Sequence, residues 1–147
     1  MRLVSFAAAA IALSSLTLPA FAQSEEAVMA QIESLHGQSE EFGELFGSIQ
    51  DAFLFDNPTN IADLAFYPLD IAANGELYEI EDPQDLVDNF DALVSSETQA
   101  GLSSQDFSDL IVNSDGVGFA NGALWASLVC SDDSCSSAEW GIIRINN

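Results

Sequence analysis

Basic residues are almost absent from this chain of 147 residues. Lysine and arginine together number two, against 24 acidic residues, and the formal net charge is −22. The two are Arg2 and Arg144, and lysine does not occur. The negative electrostatic field of such a protein repels phosphate backbones and anionic lipid headgroups. The composition therefore disfavours nucleic acid and membrane surfaces as partners. It leaves two interpretations open: an acidic surface that keeps the protein soluble, or steering toward a cationic partner.

Long apolar runs are also absent after residue 22. Before it, Met1-Arg2 is followed by an apolar or small stretch over residues 3–18 and by Ala20-Phe21-Ala22, an A-x-A cleavage pattern. A membrane anchor is the alternative, but the polar and acidic residues that follow favour cleavage. We predict a signal peptide over residues 1–22 and a single mature domain over residues 23–147, periplasmic or secreted. With Arg144 as its one basic residue, the mature domain would carry a charge of −23 and make no membrane contact.

Cysteine and histidine are scarce, with two and one residues. A zinc site would need a second cysteine pair, and His36 lies far from Cys130 and Cys135 in sequence. Four residues separate the cysteines, whereas a thiol-redox motif has two. In an exported protein the pair predicts a structural disulfide, with Cys130 and Cys135 on facing strands across a four-residue turn.

Recognisable catalytic and metal-binding motifs are missing as well. Asp109, Asn113 and Asp115 do not match the spacing of an EF-hand, and no serine or cysteine lies in a nucleophile motif. We predict no metal site and no cofactor. Hydrophobic residues make up 48% of the chain and phenylalanine occurs ten times, which predicts a packed core rather than disorder.

Helical periodicity dominates the first part of the mature chain. Apolar residues recur at steps of three and four, at Val28, Ile32 and Leu35 and then at Phe42, Leu45, Phe46, Ile49 and Phe53. Asn57-Pro58 and Asp82-Pro83 each pair an N-cap residue with proline at the first helical position. Residues 95–105 are weakly helical or irregular.

Strand signals lie in two places. Residues 66–71 have aromatic and β-branched content, and Pro68 within them indicates an edge strand or the start of a strand. Asn74-Gly75 predicts a hairpin into residues 76–80. Residues 107–146 predict an antiparallel meander centred on Asn121-Gly122, which favours a two-residue type I′ turn.

These segments together predict an α+β domain, with helices packed on the concave face of a curved antiparallel sheet in the order hairpin, helix, meander. Several of them carry a resemblance: Tyr67-Pro68-Leu69, the helix opened by Asp82-Pro83, Asn113 to Val117, Leu124-Trp125 and the closing residues 143–146. The chain resembles the nuclear transport factor 2-like superfamily, cystatin-like α+β cones that include ketosteroid-isomerase-like and polyketide-cyclase-like (SnoaL-like) enzymes and many small secreted bacterial domains. The resemblance implies a pocket at the open end of the cone.

Five residues are candidates to face such a pocket: Tyr67, Asp70, Tyr78, Asn113 and Trp125. An isomerase, cyclase or hydrolase of this fold would use Asp70 as base and Tyr67 as oxyanion donor. Alternatively, Asp70 faces water and Tyr67 packs in the sheet. An epoxide-hydrolase-like site would depend on Arg144 alone, which otherwise pairs with a carboxylate on a neighbouring strand. His36 fits a surface or helix end, and Trp125 and Trp140 fit the core or a sheet face.

Without a convincing catalytic set, the sequence favours non-catalytic binding of a small ligand or a protein partner, with ligand candidates Tyr67, Tyr78, Asn113 and Trp125. Catalysis by the Asp70–Tyr67 pair is the alternative. A homodimer packed through the sheet is a further expectation.

Overall fold

This computed structural model describes residues 23–147, which contain five α-helices, six β-strands and two single-turn 3-10 helices. The predicted signal peptide, residues 1–22, lies outside this range. The helices are α1 (Glu25–Leu35), α2 (Ser39–Leu54), α3 (Pro58–Asp63), α4 (Pro83–Leu93) and α5 (Ser96–Ser103). The strands are β1 (Ala65–Ala73), β2 (Glu76–Ile80), β3 (Ile111–Asn113), β4 (Gly116–Phe119), β5 (Leu124–Cys130) and β6 (Ala138–Asn146). Within residues 23–147, every helix is too short or too polar to traverse a bilayer.

Side-chain caps begin the helices where the sequence predicts them. Asn57 accepts a hydrogen bond from the backbone N–H of Asn60 at 3.1 Å, and Asp82 accepts one from Asp85 at 2.9 Å. Each cap satisfies a backbone donor that a helix start leaves unpaired. The weakly helical stretch also contains a helix, α5, because Ser95 caps it.

The six strands form one curved, mixed sheet in the order β2-β1-β6-β5-β4-β3. The α+β class is confirmed, but the prediction of a purely antiparallel sheet is wrong because β1 and β6 run parallel. The strands β3 to β6 follow one another antiparallel, and this alternation brings β6 beside β1 in the same direction. Consequently β1 is an interior strand, not an edge. Its proline, Pro68, lies where the register with β6 shifts between Ala65 and Asp70, and there the ladder needs no N–H donor.

The two Asn-Gly turns differ. Asn74 (φ 55°) and Gly75 (φ 79°) form the two-residue connection between β1 and β2, as predicted. At the second site the β4–β5 hairpin is confirmed, but four residues, 120–123, separate the closing pair Phe119 and Leu124. The two-residue turn predicted there is therefore wrong. Contacts from β6 hold the wider loop, since Asn146 donates through its backbone N–H to Ala123 and through its side chain to Gly122.

The core lies between the helices and one face of the sheet, called the inner face here. Aromatic rings from both layers fill it, with centroid separations of 4.8 to 6.0 Å among Phe42, Phe46, Phe107, Phe119 and Trp140. Phe42 and Phe119 are fully buried. The domain's own side chains therefore occupy the space between the helices and this part of the sheet.

The Cys130–Cys135 disulfide is confirmed, although not between facing strands. Cys130 ends β5 and is opposite Ala138, whereas Cys135 lies in the connecting loop at φ 51°. The Asp132 carboxylate folds the loop, because it accepts hydrogen bonds from both N–H and O–H groups of Ser134 and Ser136. These bonds hold the pKa of Asp132 far below its usual range. The disulfide is compatible with an extracytoplasmic location.

Candidate functional site

The two faces of the sheet have different surroundings. Inner-face residues such as Leu69, Ile71 and Leu124 are fully buried in one cluster with the helices. Among residues 23–147, no helix covers the opposite face, called the outer face here, where Leu77 is 67% exposed and Ile111 is 40% exposed. Side chains that could meet an external molecule therefore lie on the outer face.

A single row of outer-face positions crosses all six strands. Successive register pairs connect them in the order Glu79, Asp70, Arg144, Trp125, Gly118 and Ile111. The Cβ atoms of directly opposed residues on one face of a sheet lie within about 5.5 Å of each other. Arg144, the only basic residue among residues 23–147, is thus placed between a carboxylate and an indole. Its Nη2 atom lies 3.8 Å from Oδ2 of Asp70, which confirms the predicted pairing with a neighbouring strand.

A β-bulge in β6 brings Arg144 to this face. Trp125 is opposite Arg144 and the next residue, Ala126, is opposite Ile142, so Ile143 is the extra residue. Strict alternation would turn Arg144 toward the same side as the buried Ile142. The inserted residue resets the alternation, and Arg144 is exposed over 56% of its side chain. In the sequence, the only indication of the bulge is the unbroken apolar run immediately before Arg144.

Two glycines position the Trp125 ring. A Cβ added at Gly118 would lie 3.0 Å from Cζ2 of Trp125, and one added at Gly122 would lie 3.4 Å from its Nε1. The absence of side chains at these positions lets the indole lie across β4. Trp125 stays half-buried, so part of its surface is open to solvent.

Arg144 and Trp125 line an outer-face groove of about 520 Å³, together with Asn113, Asp115 and Ile143. Asn113 Oδ1 accepts the backbone N–H of Asp115 at 2.8 Å and thereby orders this corner. Within residues 23–147, no hydrogen bond engages the Trp125 indole N–H or the Asn113 amide nitrogen. The groove therefore combines unengaged donors, a guanidinium, a carboxylate and apolar surface.

The structure brings together some of the predicted site residues and separates others. Asn113 and Trp125 share the outer-face groove, and Asp70 adjoins it through Arg144. Tyr67 and Tyr78 lie on the inner-face side of β1 and β2, opposite to Asp70. Both tyrosines pack against the buried core, whereas Asp70 is opposite Glu79 and Arg144 in the outer-face row.

Both tyrosine hydroxyls already have hydrogen-bond partners. Tyr67 donates to the carbonyl of Ala62 at 2.8 Å, and Tyr78 donates to Oε2 of Glu76 at 3.1 Å. Burial, followed by the negative charges of Asp63 and Asp82, raises the pKa of Tyr67 to about 12. The Tyr67 hydroxyl is therefore committed to a backbone carbonyl and stays protonated at neutral pH.

A larger groove, of about 750 Å³, lies beside α5 and contains none of the predicted candidates. Its amides connect segments of the fold. Gln105 accepts from the N–H of Ala120 at 2.5 Å and donates to the carbonyl of Asp106, while Asn146 and Asn147 donate to backbone carbonyls. We interpret this groove as structural, because its amide side chains already form hydrogen bonds that connect loops of the fold.

His36 makes structural contacts with neighbouring elements. His36 caps the C-terminal end of α1, donates through Nε2 to the carbonyl of Asn113 at 2.8 Å and contacts the Trp140 ring edge-on. No cluster of three or more metal-ligating side chains occurs in residues 23–147.

Comparison of the chain with models of known families, with curated proteins and with solved structures gives no match.

Proposed function

We propose that this protein is an exported, non-catalytic binding domain that takes a small zwitterionic ligand, an amino acid or a short peptide, in the outer-face groove. The observation that carries the proposal is the position of Arg144, the one basic residue of residues 23–147, beside Trp125 in an open groove. A ligand carboxylate would bind Arg144, an ammonium group would bind Asp115, and an apolar side chain would contact Trp125 and Ile143.

Charge supports a zwitterion over a simple anion. The mature domain carries about two dozen negative charges, so an anionic ligand would be repelled before it reached Arg144. A ligand with no net charge avoids this repulsion and still satisfies both ionic groups of the groove.

The remaining parts of the proposal rest on the sequence and the fold. The signal-peptide pattern and the disulfide support export. The α+β class and the one-sided helical cover support membership of the nuclear transport factor 2-like superfamily. The separation of Tyr67 from Asp70 supports binding rather than catalysis.

Titration of the Trp140→Phe variant tests the site, because Trp125 is then the only tryptophan. L-leucine and L-phenylalanine should change its fluorescence with a dissociation constant of about 1 mM or lower. Leucinamide lacks the carboxylate and N-acetyl-leucine lacks the ammonium group, so each should bind at least about tenfold more weakly.

Matched protein variants complete the test. Arg144→Gln and Asp115→Asn should each weaken binding about tenfold, whereas Asp133→Asn, which removes the same charge from an exposed loop, should not. Failure of both amino acids to perturb Trp125, or equal effects of Asp115→Asn and Asp133→Asn, would refute the proposal.

A homodimer packed through the outer face is the competing use of this surface. It would bury Trp125 and Arg144 and exclude the ligand. Sedimentation of a dimer at micromolar concentration, dissociated by Arg144→Gln, would favour that alternative over ligand binding.

A further inference from the structure

The two edges of the sheet are protected differently. At the β3 edge, α1 lies alongside the strand: Gln31 donates through Nε2 to the carbonyl of Val112 at 3.1 Å, and His36 donates to that of Asn113 at 2.8 Å. These contacts place side chains of α1 along the β3 edge, where a further strand would have to lie. The β3 edge is thus closed to strand addition.

The β2 edge, in contrast, is open. Glu76 closes the two-residue hairpin opposite Ala73, so its backbone N–H bonds across the turn. Hydrogen bonding alternates along an antiparallel pair, and the N–H and C=O groups of Leu77 and Glu79 therefore point away from β1. Within residues 23–147, no other element hydrogen-bonds to these groups. Both residues are exposed, Leu77 over 67% of its surface.

The negative charges around the β2 edge restrict which strand of another molecule could pair with it. Glu76, Glu79 and Glu81 are exposed on or next to β2, and Asp70 is opposite Glu79 on β1. A second copy of β2 would place carboxylates against carboxylates, which destabilises a strand pair. A strand with lysine or arginine at alternate positions could instead place these cations beside Glu79 on the outer face, and its apolar residues would then lie on the other face, beside Tyr78.

We infer that the β2 edge binds an extended, basic segment of another protein by β-strand addition. Main-chain hydrogen bonds to Leu77 and Glu79 would supply affinity, and the glutamates would restrict the partner to cationic sequences. The same charges keep copies of this domain from pairing edge to edge. This inference is independent of the outer-face groove, which lies two strands away from β2.

Isothermal titration with an eight-residue peptide of alternating lysine and valine, in about 150 mM NaCl, tests the inference. Binding should be detectable, and a glutamate–valine peptide should not bind. The double variant Glu79→Gln/Glu81→Gln should weaken binding about threefold to tenfold. Its matched control, Asp88→Asn/Asp91→Asn, removes two charges from α4 and should have little effect.

Amide hydrogen exchange separates strand addition from loose electrostatic attraction. In the complex, exchange at Leu77 and Glu79 should slow at least about tenfold. The Leu77→Pro variant, which loses an outward N–H, should lose binding, and its melting temperature checks that it folds. Equal weakening by the two double variants, protection elsewhere on the sheet, or a self-associated dimer dissolved by Leu77→Pro would each overturn the inference.

Discussion

Gly116 shows how one residue is constrained by its neighbours. It lies in β4 at φ +144°, and an added Cβ would lie 2.2 Å from the carbonyl oxygen of Ala126 on β5. Backbone atoms on a paired strand cannot move aside without breaking the ladder. Gly43, in the middle of α2, has no neighbouring atom within 4 Å of its added Cβ.

We expect Gly116→Ala and Gly43→Ala to have opposite effects on the free energy of unfolding. Gly116→Ala should destabilise the domain by about 1–3 kcal/mol through backbone strain. Gly43→Ala should stabilise it by about 0.5–1 kcal/mol, because alanine is the better helix former. Urea unfolding monitored by circular dichroism measures both. A Gly116→Ala variant as stable as the parent would contradict the close approach of β4 and β5.

Tyr67 should confer a pH dependence on stability in the alkaline range. Its pKa is raised to about 12 in the folded state, against about 10 in the unfolded chain. The stabilisation is therefore full below about pH 10 and is lost as the pH rises toward 12. In a Tyr78→Phe variant, ultraviolet titration should show tyrosinate forming near pH 12 in the native protein.

The control for this prediction is the same titration in urea, where the midpoint should return to about 10. Tyr67→Phe should also destabilise the fold by about 0.5–1.5 kcal/mol, because the hydrogen bond to Ala62 is lost. A native midpoint near 10 would show that the hydroxyl is exposed to solvent.

At the scale of elements, α4 joins the β1–β2 end of the sheet to the helical layer. It contacts both β1 and β2, and Leu86 and Phe90 bury its apolar side in the core. Its first turn depends on Asp82, whose carboxylate accepts the N–H of Asp85 and precedes Pro83. Asp82 therefore stabilises the helix in two ways: its side chain caps the first turn, and its negative charge lies at the positive end of the helix dipole.

Asp82→Ala should lower the free energy of unfolding by about 0.5–2 kcal/mol. Asp91→Ala removes the same charge from an exposed position in α4 and should change stability by less than about 0.5 kcal/mol. Thermal and urea unfolding of the two variants provide the comparison. Equal losses would mean that overall charge, and not the cap, sets the contribution of Asp82.

At the scale of the whole molecule, self-repulsion dominates the surface electrostatics. The 24 acidic residues and Arg144 lie in residues 23–147, and the structure pairs Arg144 with Asp70 alone. Most carboxylates therefore face water and one another. Repulsion among them opposes compaction and is screened by salt.

We expect the melting temperature to rise as NaCl increases from about 0.1 M to 1 M, over which the screening length falls from about 10 Å to about 3 Å. The rise should be smaller at about pH 4, where carboxylates are partly protonated. Differential scanning calorimetry at both pH values tests this. A salt effect of the same size at both would point to general salting-out instead of charge screening.

Features that depend on residues close together in the chain could be predicted before the fold was known. The caps at Asn57 and Asp82, the Asn74-Gly75 turn and the Cys130–Cys135 bond each join groups separated by at most five residues. Their geometry follows from local backbone and side-chain chemistry.

The pairing of distant strands and the residues exposed on the outer face could not be predicted in this way. The parallel pairing of β1 with β6 joins residues more than 70 positions apart, and no local propensity specifies such a contact. The bulge at Ile143 then moved Arg144 out of the core and beside Trp125, against the alternation that the sequence suggests. The candidate groove depends on this bulge and on the pairing of β5 with β6, because long-range register determines which side chains become neighbours.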